Sequence, residues 1–111
     1  MAEYEDFTKL DIRAGTIIKA ETFPKARKPA SKLTIDFGQD IGIKHSSAQI
    51  TSCYTTESLE GKKILAVVNF PPRQIADFMS EVLVLGTLSA EGVVLAVPDM
   101  PDAVKNGDKL F

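Results

Sequence analysis

The chain has no tryptophan, one cysteine and one histidine among its 111 residues. A single thiol, Cys53, rules out an intramolecular disulfide framework. One Cys and one His cannot close a structural zinc site, and no glycine-rich phosphate loop is present, so no metal or cofactor is assigned. Cys53 stands eight positions after His45, but no third residue marks the two as nucleophile and base. The acids are scattered, and none pairs as general acid with general base. No catalytic residue is assigned, and the protein is expected not to be an enzyme. No apolar run nears the ~20 residues a membrane helix needs. The opening Met1-Ala2-Glu3-Tyr4-Glu5-Asp6 is acidic and lacks the apolar segment of a secretory signal. A cytoplasmic location is therefore expected. Neither sign of charge dominates, with 13 Lys and Arg against 15 Asp and Glu. Proteins built to grip nucleic acid are usually basic, so the overall balance weighs mildly against that role.

What the chain does have is an ordinary globular composition and a length that fits one domain, residues 1–111. Leu10, Ile12, Ala14, Thr16, Ile18 and Ala20 alternate with Asp11, Arg13 and Lys19, which predicts a long strand with one buried face. Gly15 within it marks a bulge or bend. Pro24 and Pro29 among basic residues make 24–31 a loop. Leu33, Ile35 and Phe37 give a second strand, and 41–50 a third, with Ile41 and Ile43 alternating. Thr55 to Gly61 suits a short helix, capped by Thr55 and stopped by Gly61. The run Ile64–Val68 reads as a strand buried on both faces, ended by Pro71-Pro72. Val82–Leu85 and Val93–Val97 are two more strands, joined as a hairpin around Ser89-Ala90-Glu91-Gly92. Lys105-Asn106-Gly107-Asp108 is a turn.

Three strands, a short helix and three strands describe an all-β chain: a five-stranded OB-fold barrel with an extra strand and terminal extensions. Such barrels bind along the strand 2–3 face and the loops joining strands 1–2 and 4–5. Here those loops are 24–31, with Lys25, Arg27, Lys28 and nearby Lys32, and 69–80. A run of four cations can equally be a solvated loop. The second loop carries Phe70, Pro71, Pro72, Arg73, Ile75, Phe78, Met79 and Ser80, and is apolar for a surface connection. Exposed apolar loops mark partners. Tyr4, Phe7, Met100, Leu110 and Phe111 place apolar side chains near both ends, where frayed termini are normally polar. They are candidates for a two-fold interface, or for packing on their own barrel.

Phe7-Thr8-Lys9-Leu10-Asp11-Ile12-Arg13-Ala14-Gly15, Lys32-Leu33, Ser46-Ser47, Gly61-Lys62-Lys63 and Asn69-Phe70-Pro71-Pro72-Arg73 resemble the tRNA-binding domain family. Lys28–Leu33, Ile35–Gly38, Gly42–Ile50, Val67–Pro72, Ser80–Gly86 and Asn106-Gly107 are similar, block by block, to its CsaA-type branch. The resemblance runs over nearly the whole chain from Phe7. It implies a homodimer with chaperone-like activity: capture of unfolded or exported polypeptides, with the export translocase motor as a possible partner. It also implies weak tRNA binding as the alternative, through Lys25, Arg27, Lys28, Lys32, Lys44, Ser46, Tyr54 and Arg73. The family's RNA-binding members read Asn-Leu-Lys-Pro-Arg-Lys, then a basic residue and glycine, then Ser-x-Gly-Met. Here Pro71, Gln74 and Ala76-Asp77 replace the cations and the glycine, and Val82-Leu83 stand where Gly-Met would be. Lys32, Arg73 and Ser80 are kept. The loop has lost cations and gained apolar bulk, which moves its chemistry toward peptide.

Overall fold

The structure, a computed structural model, describes all residues from Met1 to Phe111. A short helix α1 (Tyr4–Thr8) leads into the long strand β1 (Ile12–Thr22). The strands β2 (Ser31–Asp36) and β3 (Ile43–Ala48) follow, then the helix α2 (Thr56–Leu59) and β4 (Lys63–Val67). Next come β5 (Arg73–Ile75), β6 (Phe78–Ser80) and β7 (Leu83–Val84), and a last hairpin of β8 (Gly86–Ser89) and β9 (Gly92–Leu95). The main sheet runs β3-β2-β1-β4-β7, every neighbouring pair antiparallel.

β1 serves both halves of this sheet. Its first part, Ile12–Thr16, pairs with β4, and Thr16–Thr22 pairs with β2. Strict alternation would bury Ile18. Instead Ile17, opposite the buried Ile35, is fully buried and Ile18 is 48% exposed; the register then shifts between Ile17 and Lys19, so that Ala20, opposite Leu33, faces in rather than Lys19. The extra residue of a bulge moves every later side chain to the other face. The irregularity therefore falls after Gly15. That glycine is required for a different reason: a Cβ there would lie 2.7 Å from the Phe37 ring and 2.8 Å from Ile35 Cγ2. β2 packs tightly across β1 at this point.

The core is Ile17, Leu33, Ile35, Phe37, Ile50, Leu59, Ile64, Ala66, Val82 and Leu95, with Ala20 at its edge. Each large side chain among them contributes about 1.5–3 kcal/mol through burial. α2 places Leu59 under the barrel. Its N-terminus is closed as the sequence predicts, with Thr55 Oγ1 accepting from Ser58 N and Ser58 Oγ accepting from Thr55 N. Gly61 follows at φ +89°. The turn at 105–108 also forms, and the chain beyond it lies along the free edge of β1. Ala14 N donates to Asp108 O, Gly107 N to Ala14 O and Leu110 N to Ile12 O, each at 2.8 Å.

The barrel closes where β3 meets residues 80–82, largely through side chains. His45 N donates to Glu81 Oε1, Ser47 N to Ser80 Oγ and Ser46 Oγ to the Val82 carbonyl, beside one backbone bond from Glu81 N to His45 O. Burial of Ser46 by this bond sets the phase of β3, so Ile43 faces out. Two expectations are corrected. The segment 69–80 is not a simple loop but contains the hairpin β5–β6, with Arg73 opposite Ser80 and Ile75 opposite Phe78. The final hairpin begins at Gly86, while Val82–Leu85 belongs to the barrel, with Leu83–Val84 paired to β4. No helix is long and apolar enough to cross a membrane.

Candidate functional site

The outer face of β2 and β3, the β1–β2 loop and the β5–β6 hairpin meet at one place. β1 ends at Thr22, and Phe23 and Ala30 close the loop between them, Phe23 N donating to Ala30 O. The Phe23 ring is buried by the hairpin. It meets the Phe78 ring edge-on, with centroids 5.4 Å apart at 65°. Phe78 also meets the His45 ring at 6.2 Å and 86°. The Lys32 ammonium sits 4.8 Å from the Phe23 centroid and 5.3 Å from that of Phe78, within range of a cation–π attraction to both. His45 Nδ1 lies 3.1 Å from Glu81 Oε1, which ties this cluster to the barrel seam.

A second tie joins loop to hairpin. Lys25 Nζ donates to Asp77 Oδ2 at 2.7 Å. The bond holds the Lys25 pKa above its ordinary value, and holds that of Asp77 below its own, with the charge of Lys32 adding to the latter. Asp77 stands at the turn of the hairpin after Ala76, which takes a left-handed φ of +53°.

Two depressions flank β5. One, of about 830 Å³, is lined by Lys25, Arg27, Lys28, Arg73, Ser47, Gln49, Gln74, Ile75 and three alanines, with no acid among them. The other, of about 300 Å³, is lined by Phe70, Pro71, Ile75, Val82 and Leu83 together with Ser47, Arg73, Ser80 and Glu81. Ser47, Arg73 and Ile75 border both. One ligand could thus meet cations on one side of the hairpin and apolar surface on the other.

The structure gathers most of the residues singled out in the sequence. Phe70 is 43% exposed, Pro71, Pro72 and Arg73 are exposed, and Ile75 and Ser80 are half-buried beside them. Phe78 is spent on the ring cluster. Met79 is exposed but borders neither depression, being paired with Gln74 across the hairpin. Three residues are not brought to the polar rim. Ser46 is buried with its hydroxyl on Val82. Lys44 shares the inward phase of Ser46 and lies opposite the buried Ile35. Tyr54 accepts a hydrogen bond from Leu95 N, lies under Lys62 and packs against the core. His45 and Cys53 have different partners, Glu81 and the Glu91 carbonyl. The roles of Phe23, His45 and Asp77 here were not read from the sequence. The available signal was position: Phe23 opens the basic loop, and Asp77 is the one acid between Arg73 and Ser80.

At the termini, Tyr4, Phe7, Leu110 and Phe111 do come together. With Thr8, Leu10, Ile12 and Lys109 they line an apolar depression of about 180 Å³. Met100 lies elsewhere, just before a 3-10 turn at Pro101–Ala103.

The family model described as a putative tRNA binding domain matches residues 12–109. The chain belongs to the tRNA-binding domain family. Among solved structures, this family domain resembles the CsaA chaperone protein of Picrophilus torridus, with 54% identity, a TM-score of 0.94 and full coverage of both chains. Chaperone CsaA of Bacillus anthracis str. Ames is similar at 54% identity and a TM-score of 0.92, covering 100% of this chain and 99% of that one. The methionine–tRNA ligase of Christiangramia forsetii is 38% identical over 107 residues, 96% of this chain but only 15% of the ligase. The tRNA-binding domain is a non-catalytic unit, and the chain spans only that small share of the ligase.

Proposed function

We propose that the protein is a chaperone-like polypeptide-binding protein that holds unfolded segments against the β5–β6 hairpin. The observation that carries this reading is the open apolar groove formed by Phe70, Pro71, Ile75, Val82 and Leu83. Its walls are side chains with little hydrogen-bonding demand, which suits capture of chains of varied sequence. Full-length 54% identity to two CsaA chaperones supports it. Arg73, Ser47 and Ser80 at the rim supply polar contacts to a peptide backbone. The reading extends to a cytoplasmic protein whose clients include precursors bound for export, with the translocase motor as the next partner. It is tested with a permanently unfolded, carboxymethylated protein as client. Phe70→Ser and Leu83→Ser weaken binding by about 1 kcal/mol or more each, whereas Met79→Ala changes it little. Unchanged affinity in both groove variants would sink it.

A second reading is favoured by a separate observation, the acid-free cationic depression. Arg27, Lys28 and Arg73 would there neutralise phosphates of a structured RNA, in keeping with the family. RNA affinity then falls steeply with salt, whereas capture in the apolar groove does not. Changing Arg27 and Lys28 together to alanine lowers RNA affinity and flattens the salt slope by about 1.5.

The same proposal includes a dimer. Tyr4, Phe7, Leu110 and Phe111 join the two ends of the chain in one apolar surface, with Tyr4 77% exposed. A second copy related by a two-fold axis covers it in a self-complementary way. Light scattering is expected to give twice the mass of a single chain at micromolar concentration, and Phe111→Ser with Tyr4→Ser to give one.

A further inference from the structure

The cationic depression contains one cation that is already answered. Of the four that line it, Lys25 alone carries an ion pair, and its partner comes from the hairpin tip rather than from the loop. Arg27, Lys28 and Arg73 have no acid within ion-pair reach. Both members of the Lys25–Asp77 pair are largely in solvent, at 69% and 54% exposure. Their contact is therefore not needed to cover charge inside the fold, and exposed pairs hold folds together only weakly. The tip is also built at some cost to the backbone. Ala76 sits at φ +53°, a conformation that glycine adopts freely and alanine does not. Asp77 is thus presented to Lys25 on a two-residue turn lacking the usual glycine or asparagine.

We propose that Asp77 is a specificity-determining residue that acts as a built-in competitor for phosphate, occupying Lys25 and so turning the depression away from RNA. This rests on the second reading above, that the depression seats a phosphate backbone. A carboxylate oxygen 2.7 Å from Nζ stands where a phosphate oxygen would bind. An RNA must displace it before Lys25 contributes, and the displaced carboxylate remains close by as a repelling charge. While Asp77 neutralises it, Lys25 neutralises no phosphate and frees no cation condensed on the RNA, so it adds little to the counterion term that drives RNA affinity. Polypeptide capture on the far side of β5 needs no cation at this position. Asp77 accordingly separates the two ligand classes that share the hairpin.

The experiment titrates the full chain into a fluorescein-labelled tRNA transcript between about 50 and about 300 mM salt, over which the Debye length falls from about 14 to about 6 Å. Native protein is compared with Asp77→Asn, Asp77→Glu, Lys25→Ala and the double variant Lys25→Ala/Asp77→Asn. Freeing one cation adds one phosphate contact. Asp77→Asn is therefore expected to bind about fivefold to eightfold more tightly at 0.1 M salt, with a slope steeper by about 0.7–0.9. Lys25→Ala removes that whole gain in the Asp77→Asn background and costs clearly less in the native one, a coupling that a double-mutant cycle reads directly. Asp77→Glu keeps the charge and keeps the native affinity. If Asp77→Glu binds as tightly as Asp77→Asn, loosening of the tip rather than loss of charge is responsible, and the proposal fails. Native protein that binds RNA with no gain in Asp77→Asn also overturns the role of Asp77, while leaving the depression as an RNA seat. No binding by any variant at 50 mM salt overturns both.

Discussion

The two small hairpins, β5–β6 and β8–β9, have the same length of turn and differ in how much of their hold is local. Each joins its strands through two residues, Ala76-Asp77 in one and Ala90-Glu91 in the other. The second hairpin carries its own turn chemistry. Gly92 takes φ +125°, and Ser89 Oγ donates to Gly92 O at 2.6 Å and accepts from Glu91 N. The first has a left-handed alanine and borrows its hold from outside, through Phe23 to Phe78, Lys25 to Asp77 and Ser47 to Ser80. A hairpin fixed by its neighbours transmits what happens to them. That is the one placed beside both depressions.

The sharpest way to break this comparison is Gly92→Val. A Cβ at residue 92 would lie 2.8 Å from Ser52 Cβ, on a backbone that β-branched residues rarely adopt. Stability should fall by about 3 kcal/mol in urea unfolding, while client binding per folded molecule is retained. Phe78→Ala comes next. It removes the ring that Phe23, His45 and Lys32 all meet, at a cost of about 2 kcal/mol, because the ring is only half-buried. Unlike Gly92→Val it should also weaken client capture, by freeing the hairpin. Equal loss of binding in the two variants would erase the distinction between the hairpins. Ala76→Gly has the opposite sign. Relief of the left-handed alanine should raise stability by about 1 kcal/mol, read as a higher urea midpoint at unchanged slope.

The same contrast explains what was legible in the sequence. The β8–β9 turn was visible because Gly92 and Ser89 carry local information. The β5–β6 hairpin was invisible because Pro71-Pro72 and Ala76-Asp77 are not hairpin signals, and its contacts lie some fifty residues away, at Phe23 and Lys25. Periodicity located β1, β2 and β4, but not that Ile17 faces in and Ile18 out, since both residues are isoleucine, nor the bulge after Ile17 that returns Ala20 to the inside. It also placed Ser46 at the rim. A serine in a polar stretch gives no hint that its hydroxyl closes a barrel seam on Val82. The candidate loops themselves were legible, because their order along the chain fixes where an OB barrel carries them. Which side chains they offer depended on pairing across strands distant in sequence.

The smallest expected effect concerns the tie between the first hairpin and its loop, and it is read through pH. Asp77 has a folded pKa below its ordinary 3.8, chiefly because Lys25 donates to it. A depressed carboxylate contributes stability that is present above its unfolded pKa and is lost as pH falls through the lower, folded value. Lys25 has a folded pKa above its ordinary 10.5, chiefly because it donates to Asp77. A raised ammonium contributes stability that is fully present below its unfolded pKa and is lost as pH rises through the folded one. The pair therefore acts across the window between those two ordinary values and on neither side of it. The melting temperature of native protein minus that of Asp77→Asn should be small, positive and flat from about pH 5 to about pH 9. It should shrink toward zero as pH drops below the carboxylate range, and shrink again in strong alkali. Added salt should reduce the plateau, since both groups face solvent. β8–β9 has no such pair, so Glu91→Gln should show no comparable plateau across that range. A difference for Asp77→Asn that grows on acidification would mean that the carboxylate is held by something other than Lys25, and the hairpin's dependence on its loop would have to rest on Phe23 alone.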